Sequence, residues 1–108
     1  VLVSNTDDHL RNHGFLLTSS GWVLSPAYDV NPNPEGSAGL TLNIDELDNA
    51  LDVELVMSVA EYFRLKRQEA TTIRDEVMRV LSGWRERAGR LRLPAAEIDR
   101  MEVAFQLS

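Results

Sequence analysis

The chain has 108 residues, 44% of them hydrophobic and 26% charged, with a net charge of −6. That composition suits one globular domain, 1–108, with a modest core, and no apolar run approaches the roughly 20 residues that span a bilayer. The chain has no Cys, which excludes disulfides and thiolate metal sites and fits a cytoplasmic location.

The charge is uneven. Residues 1–63 carry ten Asp/Glu against Arg11 alone, whereas residues 64–108 carry ten Lys/Arg against seven acids. The acidic half suits a divalent cation. The bases between Arg64 and Arg92 are interleaved with acids, the pattern of a solvated helix face rather than of a nucleic-acid footprint.

In chain order, Val1-Leu2-Val3 reads as the end of a strand. It is too short for a signal peptide, lacks a basic flank and an initiator Met, and so reads as the start of an internal piece. Residues 4–13 form a polar loop. Gly14 to Thr18 and Trp22 to Ser25 are predicted as two short strands joined by Ser19-Ser20-Gly21. The stretch 31–39, with two prolines and two glycines, is loop. Leu40 to Ile44 alternates apolar and polar, which predicts a third short strand.

From Asp52 the periodicity becomes helical. Asp52 is placed to cap a helix that carries Val53, Val56, Val59, Ala60 and Phe63 on one face. A longer helix is predicted from about Arg67 to Ala88, with Ile73, Val77, Val80, Leu81 and Trp84 as its stripe. Gly83 within it implies close packing or a bend, and Gly89 is a natural terminator. Pro94 suits the first turn of a final helix whose stripe is Ile98, Met101 and Phe105. The expected fold is mostly α (α+β): a small hairpin with flanking loops over 1–44, then about three helices over 45–108.

Three side chains carry the chemical signal. Asp7 is followed five residues on by Asn12 and, beyond the hairpin, by Asp29. An Asp, an Asn five residues later and a second Asp after a short strand pair is the order of kinase-like phosphoryl-transfer sites. Such transfer needs positioning and neutralisation of phosphate charge more than covalent help. Mg²⁺ takes hard oxygen ligands, which an Asn amide and an Asp carboxylate supply. Each of the three residues also has an ordinary role as a turn-stabilising Asx side chain.

The wider run Asn5-x-Asp7-x-His9-x-Arg11-Asn12, then Phe15-Leu16-Leu17, then Gly21 to Val30 with Tyr28-Asp29-Val30, resembles the C-terminal part of HipA-like serine/threonine kinases, the toxin halves of bacterial toxin–antitoxin pairs. The resemblance is dense over 1–31 and looser over the helices, and Arg11 stands where the family more often has Lys. It implies a kinase-like C-terminal lobe in which Asp7 is the catalytic Asp, Asn12 and Asp29 are Mg²⁺ ligands, and Asn5, His9 and Arg11 support the loop. It also implies ATP with Mg²⁺ as cofactor, a protein Ser or Thr hydroxyl as acceptor and a helix-turn-helix antitoxin as partner. The sequence holds neither a Gly-rich phosphate loop nor a V-A-I-K-type strand Lys, and its one lysine is Lys66.

Other readings remain open at this point. The chain could be a non-catalytic helical interaction module with a vestigial kinase-like loop, or a divalent-metal phosphoesterase using Asp7, Asp8 and His9. His9 and His13, four apart, could meet a metal only if their loop were helical. Asp45, Glu46 and Asp48 lack the Gly and the bidentate Glu of an EF-hand loop.

Overall fold

The computed structural model describes residues 1–36 and 39–106. Strand β1 (Phe15–Thr18) pairs antiparallel with β2 (Gly21–Leu24), in the register Phe15 opposite Leu24 through Thr18 opposite Gly21. The turn is the two residues Ser19-Ser20. The Thr18 hydroxyl donates to the Gly21 carbonyl at 2.9 Å and accepts from the Ser20 N–H. Gly21 closes the turn at φ +112, a conformation that costs glycine little. One further bond, from the Ser25 N–H to the Gly14 carbonyl at 2.8 Å, carries the pairing to the predicted strand ends.

Among the described residues four α-helices follow the hairpin. Helix α1 (Val53–Ser58) begins at Asp52, whose carboxylate accepts the Glu54 N–H at 2.8 Å, as the cap reading requires. A 3₁₀ turn (Ala60–Phe63) ends at Arg64 in the left-handed region and leads into α2 (Arg67–Leu81). The small core sits here: Met57, Ala60 and Ala70 are buried, with Val53 and Leu65 packed against them. The remaining helices are α3 (Trp84–Arg90) and α4 (Ala95–Met101). The fold is α+β with a small hairpin, as expected.

Four details of the sequence reading are corrected. Val1–Val3 is not a strand: the Ser4 N–H bonds back to the Val1 carbonyl at 2.8 Å and closes a turn. Leu40–Ile44 is not a strand either. Its N–H groups go to Asn49, Thr6 and Asp48, three separate partners that cannot form one ladder. The single helix over 67–88 is two. The Ser82 hydroxyl bonds back to the Arg79 carbonyl at 2.8 Å, and Gly83 leaves helical geometry to become the N-cap of α3. The break turns Trp84 onto Phe105, ring centroids 4.2 Å apart and nearly parallel, while Arg85 binds Asp99 and Glu102 across the corner. Helix α3 runs past Gly89 to Arg90, and Arg92 takes the left-handed backbone instead.

The chain ends close on itself, with the Gln106 N–H donating to the Leu2 carbonyl at 2.9 Å. Much apolar surface nevertheless stays open. The chain exposes 8267 Å², against about 6,000 Å² for a folded monomer of this mass. Phe15 and Trp22 on one face are 65% and 70% exposed, and Leu16 and Val23 on the other 52% and 42%, so the hairpin is uncovered by the described residues on both faces. A two-stranded ribbon is marginal alone in water. Its ends must therefore be held by the polar loops that flank it.

Candidate active site

The loop before the hairpin enters the interior through polar residues. Ser4, Thr6 and Asn12 are buried, and each has hydrogen-bond partners, as burial of such groups demands. The Thr6 carbonyl accepts from both the Thr41 N–H and the Thr41 hydroxyl, and its own hydroxyl accepts from Asn33 at 2.7 Å. The loop closes with a 3₁₀ turn, Leu10–Asn12, that folds Asn12 back: its Oδ1 accepts the His9 N–H at 3.1 Å.

Across the hairpin the two polar loops meet. Asn12 Nδ2 donates to Asp29 Oδ2 at 3.0 Å, over 17 residues of sequence. Asp29 takes a left-handed backbone, φ 56, which Asp tolerates better than most residues. Two ties flank it. The Tyr28 hydroxyl donates to the Arg11 carbonyl at 2.6 Å, and the Asn31 N–H donates to Asn5 Oδ1 at 3.2 Å. Asn5 therefore braces the opposite loop rather than its own. Asp29 Oδ1 in turn accepts from Asn31 Nδ2 at 2.8 Å.

Asp7 is exposed and lines a cleft of about 240 Å³ together with Asn5, Asp29, Asn31 and Asn33. Among the described residues no hydrogen bond or ion pair engages its carboxylate. Asp8 differs: it is tied to His13 at 3.1 Å on the exposed side of the loop. Among the described residues no three His, Cys, Asp or Glu side chains form a metal-holding group. His9 is half-buried with Nδ1 sequestered and unbonded, and Arg11 is exposed.

A hard cation implied by the Asn12–Asp29 pair fits the donor chemistry, two carboxylate oxygens and one amide oxygen. The hydrogen bonds fix how Asn12 now lies. The His9 N–H requires an oxygen and the Asp29 carboxylate requires an NH₂, so both neighbours dictate one amide orientation. Asn12 thus turns its NH₂ toward Asp29. Holding a cation between them requires the amide to turn over and give up two hydrogen bonds, each worth about 0.5–1.5 kcal/mol net.

Sequence reasoning named Asp7, Asn12, Asp29 and Asn5 but missed Thr6, Asn31 and Asn33. Tyr28 is 46% exposed and acts through its hydroxyl. The Asn-rich stretch after Asp29 was the available signal, hidden because Asn is also an ordinary loop residue.

The molecule is an α+β domain in which a hairpin joins two hydrogen-bonded polar loops. Residues 1–84 match the HipA-like C-terminal domain, and the chain belongs to that family. Comparison with curated proteins and with solved structures finds no match. The family match ends at Trp84, so the α3–α4 corner lies almost wholly beyond it.

Proposed function

We propose that this chain is the hydroxyl- and metal-binding part of a HipA-like protein Ser/Thr kinase. The intact enzyme would transfer the ATP γ-phosphoryl to a protein hydroxyl. The observation that carries the reading is the Asn12–Asp29 contact at 3.0 Å beside a cleft that Asp7 lines with a free carboxylate. Asp7 orients the acceptor hydroxyl and takes its proton, a task for which its lack of partners leaves it available. Asn12 and Asp29 hold Mg²⁺. The bound ion supplies charge neutralisation on the phosphate oxygens. Tyr28 and Asn5 keep the two loops in register while the hairpin carries the chain between them. Family membership supports a helix-turn-helix antitoxin as partner.

The chain by itself is expected to be inert, because it lacks a Gly-rich loop and a phosphate-pairing strand Lys. Lys66, its one lysine, is the N-cap of α2. The open hairpin and the apolar groove of about 530 Å³ beside α1 and α2 give further protein a surface to cover. In the intact kinase, Asp7→Asn should abolish phosphoryl transfer to protein while circular dichroism stays unchanged. Full activity in that variant overturns the role of Asp7, and phosphorylation by the purified 108-residue chain overturns its inertness.

A further inference from the structure

Asn31 belongs to none of the motifs read from the sequence, yet it holds the oxygen of Asp29 that Asn12 does not. Its Nδ2 donates to Asp29 Oδ1 at 2.8 Å, while Asn12 Nδ2 donates to Oδ2 at 3.0 Å. One amide on each oxygen fixes the plane of an otherwise exposed carboxylate. The two amides are not equivalent. Asn12 must turn over to offer its oxygen to a cation and then no longer donates to Asp29. Asn31 is two residues from Asp29 and anchored through its own N–H to Asn5 at 3.2 Å, so nothing requires it to move.

We propose that Asn31 is a positioning residue for the Asp29 carboxylate: it retains Oδ1 so that Oδ2 faces the cation when Asn12 turns. The inference rests on the reading of Asn12 and Asp29 as a metal pair. The atom Asn31 turns to Asp29 is its NH₂, a donor and not a cation ligand. Its effect on the metal passes through the carboxylate.

The test uses Mn²⁺ as the probe on the 108-residue chain, with binding read from paramagnetic broadening of the Asn12 side-chain amide signals in ¹⁵N spectra. Broadening is local and follows even millimolar binding. Asp29→Ala should abolish the saturable broadening. Asn31→Ala should weaken Mn²⁺ binding about tenfold with helical circular dichroism unchanged, and Asn31→Gln, which keeps an NH₂ donor, should recover part of the loss. Tyr28→Phe removes the other tie between the loops without touching the carboxylate, and should change binding less than twofold. Wild-type binding in Asn31→Ala alongside loss in Asp29→Ala overturns the positioning role and leaves the metal pair standing. Equal weakening in Tyr28→Phe and Asn31→Ala would mean that any loosening of these loops lowers binding, and overturns the positioning role as well. Unchanged broadening in Asp29→Ala, or none in the wild type, removes the metal reading and this proposal together.

Discussion

Replacing Asn12 by Asp isolates the contact on which the site depends. Asp keeps an oxygen for the His9 N–H but puts a second carboxylate where the NH₂ now meets Asp29 Oδ2 at 3.0 Å. Two unit charges at that separation repel by about 5.5 kcal/mol at an effective dielectric constant of about 20, and by about 1.4 kcal/mol in bulk water. Asn12 is buried and Asp29 exposed, so the pair lies between these limits. Relaxation of the Asp29 side chain lowers the cost further, and about 1–3 kcal/mol is expected. Urea denaturation in EDTA at low salt measures it directly. Two signatures separate charge repulsion from general damage. The loss should shrink as salt is added, because salt screens the repulsion between two charges at a partly exposed position. It should also be at least half recovered by about 10 mM Mg²⁺, which binds the folded pair and not the dispersed chain. An Asn12→Asp chain as stable as the wild type in EDTA would show that these side chains do not face each other. A destabilised variant indifferent to Mg²⁺ would show that they face each other but do not serve a cation.

Two further outcomes follow from other parts of the molecule. Phe105→Ala removes the partner stacked on Trp84 at 4.2 Å and should cost about 2–3 kcal/mol, less than a fully buried Phe because the ring is partly exposed; a loss below about 0.5 kcal/mol in urea titration would mean that the stack does not hold the α3–α4 corner. Burial lowers the pKa of the Val1 amino group below its usual 8.0, and Asp8 only partly offsets this. Between the lowered value and 8.0 the unfolded chain binds more protons, so stability of a chain with a free amino terminus should rise with pH across that window, and acetylation should flatten the rise.

Much of the local structure was legible in the residues. The two short apolar runs on either side of Ser19-Ser20-Gly21 gave the hairpin, the Asp52 carboxylate gave the start of α1, and the stripe through Ile73 and Val77 gave α2. These are short-range effects, in which a side chain within a few residues satisfies or denies a backbone group. The errors lie where local preference competes with distant partners. Leu40–Ile44 alternates like a strand, but a ladder needs a neighbouring strand, and Thr6 and Asn49 take its donors instead. Helix periodicity continues through Gly83, but the stack of Trp84 on Phe105 favours a break there.

For the site, the sequence by itself determined the donor chemistry: Asp7, Asn12 and Asp29, their order, and a hairpin short enough to return one loop beside the other. The spacing of five between Asp7 and Asn12 was fixed in the chain. Only the tertiary structure decided which of these side chains are engaged. Among the described residues Asp7 is free, Asp8 is held by His13, and Asp29 is gripped on both oxygens by amides 17 and two residues away. The reason is geometric. A hydrogen bond across the hairpin depends on how two loops are aimed, and Asn12 and Asn31 owe their roles to a left-handed turn at Asp29 that no residue pattern announces.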